Sequence, residues 1–316
     1  MLLNFKPILL FTVIITAISC EKIIPFSSDI TESKLVVNSL FDNTQRWNIH
    51  VSKSLSVIDN AELSGVENAS VIISDSVGNI IETLLHDSGG FYTGVTIPQT
   101  NNTYRIDVSA NNYNSVYALE TLPKNIPILS VDTSSIINTN NEKELQFDIT
   151  FSDPSQETNY YILGIEVGFW EIYDLGAGIL DSFFVEMTIP LYSNDQAINN
   201  NEGKNIDGTI LFDDILFNGQ NKNLSVYSYI QYISSSVFPI TFDYINVNLF
   251  NVSQATYLYK KTYSIHQNTS GNPFAQAVQV YSNITNGFGI FGGAQIDTFS
   301  LSVGVTPIPT IKRKGL

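Results

Sequence analysis

Apolar and polar residues alternate along three short stretches in the first half of the chain, KLVVNSLF, RWNIHVS and TYRIDVS. The apolar positions that share one face are Leu35, Val37 and Phe41, then Trp47, Ile49 and Val51, then Tyr104, Ile106 and Val108. A period of two residues is typical of a strand with one buried face. Two glycine-bearing turn sequences, DSVGN and DSGG, lie between these stretches. The pattern predicts a compact antiparallel β-sandwich over residues 34–125.

The second half of the chain keeps this alternation in longer stretches. LQFDITF places four apolar residues on one side, and YYILGIEVGFW places five on one side with Tyr160, Glu166 and Trp170 on the other. The inward positions are Leu145, Phe147, Ile149 and Phe151 in the first stretch, and Tyr161, Leu163, Ile165, Val167 and Phe169 in the second. The two prolines of LPKNIP are typical of a linker. We therefore predict a mainly β protein, with a larger β-rich second domain over residues 126–305.

One stretch of the second half, SQATYLYKKTYSIHQ, predicts a short helix. Ser253 is a suitable N-cap residue, and apolar and aromatic side chains recur after it at helical spacing opposite a pair of lysines. A period of two also fits this stretch through Tyr257, Tyr259 and Tyr263. We favour the helix and keep the strand as the alternative.

The beginning of the chain, MLLNFKPILLFTVIITAISC, has the layout of a secretory signal, with one basic residue, an apolar run and small residues near the end. The apolar run is shorter than the roughly 20 residues that a membrane-spanning helix needs. Cys20, the only cysteine, falls where a bacterial lipoprotein carries its lipid. An ordinary signal peptide with a chance cysteine is the alternative. We predict a signal peptide over residues 1–19, lipidation of Cys20 and a tether over residues 20–33.

Polarity predicts two further exposed segments, and charge excludes one class of partner. Residues 193–208 are polar and contain glycine, which predicts a long exposed loop, and residues 306–316 predict a solvated tail. The formal net charge is −15, so the chain as a whole would repel phosphate backbones. We therefore predict no nucleic-acid partner.

Gly287, Gly289 and Gly292 spell G-x-G-x-x-G, the motif of dinucleotide-binding loops. A functional motif needs a helix after the glycines and an acidic residue about 20 positions further on. Here the chain continues as AQIDTFSLSV, which alternates like a strand, and Lys312 stands near the acidic position. We exclude a nucleotide site and predict that these glycines let another backbone or a bulky ring approach closely.

The sequence contains no H-E-x-x-H, C-x-x-C or G-x-S-x-G motif, and its three histidines are scattered. Carboxylates could form an acid/base pair among Asp213, Asp214, Glu166 and Glu171, although an acidic protein offers such pairs by chance. We predict no enzymatic activity and no cofactor, and keep a carboxylate-dependent hydrolase as a third hypothesis.

A metal site has one weak candidate. The loop GKNIDGTILFDD places Asn205, Asp207 and Asp214 at ligand positions of an EF-hand-like calcium loop. Glycine holds the first ligand position of that loop, and the last position has Asp instead of the longer Glu. We favour a solvated loop without metal.

Aromatic residues supply the remaining candidate site. Trp170, Tyr173, Tyr227 and Tyr229, together with Tyr232, are suited to stacking on sugars or to anchoring a protein interface. The alternative is that half or more of these rings fill the core.

A lipoprotein-type cysteine followed by KLVVNS, GVENASVIISDSVGN, SGGFYTG, TYRIDVSANNY and ALETLPKNIPI resembles the Bacteroidetes lipoprotein family catalogued as domain of unknown function 4249. The later segments FDDILFNGQNKNLSV, VNLFNVSQATYLYKK and NPFAQAVQVYSNITNGFGIFGG are similar to that family's later signatures. The resemblance covers nearly the whole chain after Cys20. It implies an N-terminal sandwich of immunoglobulin or transthyretin type, similar to carboxypeptidase-regulatory modules, and genomic proximity to TonB-dependent receptors.

These observations together lead to one functional expectation with two alternatives. We expect a non-enzymatic lipoprotein of the outer membrane that assists a TonB-dependent β-barrel receptor, on the cell surface somewhat more than on the periplasmic face. The leading alternative is a stand-alone surface adhesin that binds a glycan or a protein. The third is the carboxylate-dependent hydrolase.

Overall fold

A computed structural model describes residues 32–56, 62–138, 140–155, 157–175, 180–198, 207–229, 242–270, 272, 274–276 and 278–301. The strands of the first half are β1 (Leu35–Phe41), β2 (Asn48–Lys53), β3 (Ser70–Asp75), β4 (Ile80–His86), β5 (Phe91–Thr93), β6 (Thr103–Ser109) and β7 (Val116–Thr121). The elements of the second half are β8 (Ile128–Ile137), β9 (Lys143–Ser152), β10 (Tyr160–Asp174), β11 (Leu180–Thr188), β12 (Ile210–Asp213), β13 (Asn221–Tyr229), β14 (Phe242–Val252), α1 (Gln254–Thr269) and β15 (Phe288–Leu301). The described chain is mainly β with one helix, which confirms the predicted fold class.

Most of the strands belong to one long sheet. Its order is β11-β10-β14-β15-β1-β2-β5-β4-β3-β6-β7, and β12 pairs with β10 outside this path. A separate sheet has the order β13-β9-β8. Strands β1 and β15 pair in parallel, and all the other described strand pairs are antiparallel.

Strands β1 to β7 surround the first hydrophobic core. The apolar positions that alternation selected in β1, in β2 with Trp47 just before it, and in β6 are all buried there. The Trp47 ring lies 5.0 Å from the Tyr104 ring between centroids. Because β2 and β6 are not neighbours in the sheet, this contact joins two facing layers. The sheet therefore curls around a single core, as the amphipathic strands require.

The second core lies between the sheet of β8, β9 and β13 and the sheet of β10 and β14. The predicted inward residues of β9 and β10 are all buried in it. Phe151 of β9 and Tyr161 of β10 have ring centroids 5.2 Å apart. The prediction of an exposed loop over residues 193–208 is wrong in part: Asn194 and Gln196 are exposed, but Ser193 and Ile198 are buried. Residues 199–206 lie outside the described residues. Ser193 Oγ donates to Ser225 O at 2.6 Å, and Ile198 packs into the second core.

Strand β15 takes part in both halves of the chain. Residues 288–293 pair with β1, and residues 294–301 pair with β14. A single backbone therefore runs from the first core to the second. The division into domains after residue 125 stays a prediction, and the structure adds that β15 crosses it.

The linker also contacts both cores. Leu122 packs in the first core and Ile126 in the second. Between them, Asn251 Nδ2 donates to Lys124 O at 2.9 Å. After them, Ile128 N donates to Asp297 Oδ2 of β15 at 2.8 Å. These hydrogen bonds hold the linker against β14 and β15.

The glycines of the G-x-G-x-x-G sequence lie where β15 meets other elements. Gly289 has φ +109°, and a Cβ placed on it would collide with Val37 O of β1. A Cβ on Gly287 would lie 2.6 Å from Leu35 O, and one on Gly292 would collide with Thr256 of α1. Close backbone approach explains Gly287 and Gly289, and close approach of a side chain explains Gly292, which confirms the packing interpretation.

The predicted helix is also confirmed. Ser253 is its N-cap and accepts a hydrogen bond from Thr256 N through its side chain. The buried residues of α1 are the small side chains Ala255, Thr256 and Ser264, because the helix packs closely on β15. In the part of the chain that the structure describes, no helix is long and apolar enough to cross a bilayer. The predicted signal peptide, Cys20 and the predicted tail lie outside the described residues.

Candidate aromatic binding surface

The β10–β11 hairpin carries two of the four predicted ligand-contact residues, Trp170 and Tyr173. Phe169 of β10 is fully buried, but β10 and β11 continue beyond the second core. Past that point, no buried residue of the described chain lies on either strand of the hairpin. We call the following exposed side chains the hairpin surface: Trp170 (50% exposed), Tyr173 (38%), Leu175 (61%), Phe183 (50%) and Phe184 (38%).

One side of the hairpin is organised around Trp170. Its ring centroid lies 5.3 Å from that of Phe184, its register partner on β11. Trp170 Nε1 donates to Asp243 Oδ2 at 3.1 Å, which fixes the orientation of the indole. A Cβ on Gly168 would lie 2.7 Å from Tyr244 Cζ and 2.8 Å from Phe184 Cζ. The glycine therefore lets both rings lie directly against the strand.

Two carboxylates adjoin this ring cluster. The Tyr244 hydroxyl lies 2.7 Å from Glu186 Oε1 and 3.2 Å from Glu166 Oε1. The hydrogen bond to Glu186, desolvation and the charge of Glu166 raise the pKa of Tyr244. The phenol stays protonated at neutral pH and acts as a donor to these carboxylates. This arrangement combines aromatic area with negative charge.

The opposite side of the hairpin holds Tyr173. Neighbouring residues of a strand point to opposite faces, so Trp170 and Tyr173, three positions apart, lie on different faces. The Tyr173 and Phe183 rings have centroids 5.8 Å apart. The Tyr173 hydroxyl donates to Asp181 Oδ2 at 2.8 Å, which raises the pKa of Tyr173 and lowers that of Asp181.

The other predicted aromatic pair forms a separate cluster on β13. The Tyr227 and Tyr229 rings have centroids 5.7 Å apart, and Tyr192 lies 5.8 Å from Tyr227 and 5.1 Å from Tyr229. All three are half-buried, and the Tyr227 backbone exchanges hydrogen bonds with that of Tyr192. These rings contact one another and hold the loop after β11 against β13. Tyr232 lies outside the described residues.

Several members of the candidate site were not identified from the sequence, among them two rings of β11 and two residues of β14. Phe183 and Phe184 are adjacent in LDSFFVEMT, and Tyr244 and Asp243 lie on β14. The signal was present in the adjacent phenylalanines: in a strand with one buried face, two consecutive large apolar residues cannot both point inward. One of them must face outward. The positions of Tyr244 and Asp243 depend on strand pairing and have no local signal.

The acid/base candidates do not converge. Tyr160 is the register partner of Asp213, and Glu166 lies six residues further along β10, about 20 Å away at the usual rise per strand residue. Paired-carboxylate hydrolases hold their two carboxyls about 5–9.5 Å apart. Glu171 points to the face of β10 opposite Glu166. Only the adjacent residues Asp213 and Asp214 remain close to each other.

The calcium candidates have other partners. Asp214 is 1% exposed and accepts a hydrogen bond from Asn159 N at 2.9 Å. Burial raises the pKa of Asp214, against the opposing effect of that hydrogen bond. Asp207 accepts from Thr209 Oγ1 at 2.6 Å and from Lys260 Nζ at 3.3 Å. Asn205 lies outside the described residues.

The histidines occupy three different elements. His50 of β2 contacts the Phe91 ring, His86 ends β4, and His266 of α1 lies 2.9 Å from Val278 O through Nδ1. Within the described ranges, no three His, Cys, Asp or Glu side chains are grouped in a way that could hold a metal ion.

The fold defines the class: a mainly β protein in which one strand joins two hydrophobic cores and a hairpin carries exposed aromatic side chains. A family model described as a domain of unknown function, DUF4249, matches residues 21–300, so the chain belongs to that family. A comparison with curated proteins found no match.

Among solved structures, one similar chain is described as the crystal structure of a tetra-tandem repeat in the extending region of a large adhesion protein. The identity is 13% and the TM-score is 0.19. The alignment covers 85% of this chain and 49% of the other, so the chain spans about half the length of that structure.

Proposed function

We propose that the protein is a non-enzymatic lipoprotein of the outer membrane that docks on a TonB-dependent β-barrel receptor through the hairpin surface. The observation that carries the proposal is that both faces of one hairpin expose large rings, Trp170 and Phe184 on one face and Phe183 on the other. Clusters of exposed apolar side chains mark interaction sites. Trp and Tyr are also the residues that most often dominate binding energy at protein interfaces.

The charges around the hairpin surface indicate the kind of partner. Glu166, Glu186, Asp181 and Asp243 surround the rings, either directly or through a tyrosine hydroxyl. The whole chain has a formal net charge of −15. A receptor face with an apolar centre and basic residues at its rim would complement this surface.

The membrane part of the proposal rests on the sequence. Cys20 follows a segment with the layout of a lipoprotein signal. Acyl chains on that cysteine would hold the mature chain at the membrane, because several chains together bind stably. Cell-surface exposure is the side we propose, and protease treatment of intact cells that spares the protein would contradict it.

Purification from membranes in mild detergent tests the docking. We expect the native chain to bring a large β-barrel protein with it, and the double variant Trp170→Ala/Phe183→Ala to lose that partner. Both side chains are half exposed, so their removal leaves the cores intact. Leu85→Ala is the matched control, because Leu85 is 74% exposed on β4, in the first half of the chain. Recovery of the native protein alone under all crosslinking conditions would overturn the proposal.

The anchor requires its own test. Labelling cells with a radioactive fatty acid should mark the native chain and not a Cys20→Ala variant, which should also appear in the soluble periplasmic extract. An unmodified thiol on the native chain would contradict the membrane part of the proposal while leaving the docking surface to be judged by the pull-down.

A stand-alone adhesin is the second candidate, because the Trp170 side of the hairpin combines rings with carboxylates and an adjoining row of Asn and hydroxyl side chains on β14 and β15. It predicts that purified protein binds glycans or host proteins through Trp170 with no receptor present. In that case the pull-down yields no barrel and the double variant loses the adhesion.

A further inference from the structure

The outer face of β1 and β2 forms the floor of an open cleft of about 410 Å³, which we call the β1–β2 cleft. Asn38 and His50 are register partners on this floor, and Asn48 lies one row further along β2. Gln45 and Arg46 line it from the β1–β2 loop, Phe91 from β5 and Tyr259 from α1. The volume is within the range of small-molecule sites, about 300–1,000 Å³.

The fold explains why polar side chains converge here. Val37 and Phe41 of β1 point into the first core, so Asn38 and Leu40 between them point outward. The same alternation turns Asn48 and His50 of β2 outward. Helix α1 packs on the adjoining strand β15, where Thr256 Oγ1 donates to Gly293 O at 3.2 Å. This packing places Tyr259 beside the outer face and makes that face concave.

The loop that lines the cleft is held by the side chain of its first residue, Asp42. Asp42 Oδ1 accepts hydrogen bonds from Thr44 N at 2.6 Å and from Gln45 N at 3.0 Å. The loop then enters β2 at Trp47, which is buried in the first core. The backbone that carries Gln45 and Arg46 is therefore held by this turn, while their exposed side chains point away from the core. Preorganisation of this kind lowers the entropy cost of binding a ligand.

Several polar side chains of the cleft make no hydrogen bond to the described part of the protein, namely those of Asn38, Gln45, Arg46 and Asn48. Arg46 still has a charged neighbour, because it interacts electrostatically with Glu82. His50 makes a ring contact with Phe91, with centroids 4.6 Å apart. The amides each offer two donors and a carbonyl acceptor, and the guanidinium offers further donors. A polar ligand in the cleft could use all of these groups.

We propose that the β1–β2 cleft binds a saccharide of one or two rings. Hydroxyl groups of a sugar both donate and accept, which matches the planar amides of Asn38 and Asn48. The apolar C–H face of a sugar ring matches the exposed ring of Phe91, which is 44% exposed, or that of Tyr259. Among the described residues that line the cleft, Arg46 is the only Lys or Arg and Asp42 is a carboxylate, so the chemistry favours a neutral sugar over a polyphosphate.

The proposal does not depend on the hairpin surface. The cleft uses β1, β2, β5 and α1, whereas the hairpin surface uses β10 and β11. The proposal for either site can therefore be disproved without affecting the proposal for the other. This separation also supplies the control: Trp170 is the residue that a sugar-binding site on the hairpin would need.

The test begins with a glycan array, followed by isothermal titration of the detergent-solubilised full chain with glucose, galactose, mannose, N-acetylglucosamine and their β- and α-linked disaccharides. We expect at least one of these to bind with a Kd of about 1 mM or tighter. Asn48→Ala and Phe91→Ala should each weaken that binding about tenfold, as expected for loss of one good hydrogen bond or one ring contact.

Controls keep the result interpretable. Asn48 and Phe91 are exposed, and circular dichroism should show that both variants keep the native fold. Trp170→Ala should bind the sugar like the native chain. Binding that is lost in Trp170→Ala and kept in Asn48→Ala would place the sugar on the hairpin and overturn the proposal. Failure of every sugar on the array and in the titrations to bind would overturn it as well.

Discussion

At the residue scale, two carboxylates, the buried Asp214 and the half-buried Glu120, show how the same charge can have different roles. Asp214 caps a neighbouring backbone amide, and Glu120 lies near the N-cap of α1 with its pKa raised by burial, against the effects of hydrogen bonds from Thr121 N and Ser253. Neither arrangement needs a ligand. Both groups therefore affect stability, and both can be tested by single substitutions.

Asp214→Ala should destabilise the protein by about 1–3 kcal/mol, because the buried Asn159 N–H would lose its acceptor. Chemical denaturation measures the change. The neighbouring substitution Asp213→Ala is the control, since Asp213 is less buried and, among the described residues, accepts only one hydrogen bond, from Ile215 N at 3.2 Å. Its cost should be within about 0.5 kcal/mol. If calcium raises the melting temperature of the native chain and not that of Asp214→Ala, the calcium interpretation is correct and the structural one is wrong.

Glu120→Gln should stabilise the protein at neutral pH. The folded-state pKa of Glu120 lies above the ordinary value of 4.5, so the folded state binds the proton more readily than the unfolded state. The native Glu therefore contributes most below pH 4.5 and its contribution is lost as the pH rises through the folded-state pKa. The gain from Gln should be present at neutral pH and shrink towards acid pH.

Melting temperatures across the pH range check this expectation, with the exposed Glu62 changed to Gln as control. Glu62→Gln should follow the native curve at every pH. A gain for Glu120→Gln that is the same at acid and neutral pH would show that packing, and not ionisation, causes it.

At the scale of single elements, strands and the helix could largely be predicted, because their signals are local. Ser253 caps α1 where the sequence places it, and the inward residues of β1, β9 and β10 follow the alternation. Pairing partners could not be predicted. Strand β15 pairs in parallel with β1, although nearly the whole chain separates them, and no local pattern encodes that contact.

The candidate site was only partly predictable for a related reason. Trp170 and Tyr173 are of residue types that are common in cores. They are exposed because β10 and β11 extend beyond the second core. Tyr227 and Tyr229 look the same in sequence and pack mainly against Tyr192. Composition gives the kind of side chain, whereas the length of a strand relative to its core decides whether that side chain is exposed.

Gly289→Ala tests the junction of β15 and β1. Gly289 has φ +109°, and an added Cβ would collide with Val37 O. Gly78 has φ +94° with nothing within 4 Å of an added Cβ, so Gly78→Ala carries the backbone strain alone. We expect about 1–2 kcal/mol for Gly78→Ala and clearly more for Gly289→Ala, by chemical denaturation. Equal costs for the two variants would show that close approach of β1 does not constrain Gly289.

At the scale of the whole molecule, β15 should make the two cores unfold together. Six of its residues pair with β1 and eight pair with β14, and Asp297 also holds the linker. Unfolding of either core would remove the strand that pairs with one half of β15, so that half would lose its backbone hydrogen bonds. A partly unfolded state with one intact core is therefore expected to be poorly populated.

The two tryptophans report on the two halves separately, since Trp47 is buried in the first core and Trp170 lies on the hairpin of the second half. The Trp170→Phe variant keeps only Trp47, and the Trp47→Phe variant keeps only Trp170. In each variant, the fluorescence midpoint of the remaining tryptophan should equal the midpoint that circular dichroism gives for the same variant. Ile73→Val, a first-core change worth about 0.5–1.5 kcal/mol, should then shift both fluorescence midpoints equally. If only the Trp47 signal moves, the halves unfold independently, and β15 joins two domains without coupling their stabilities.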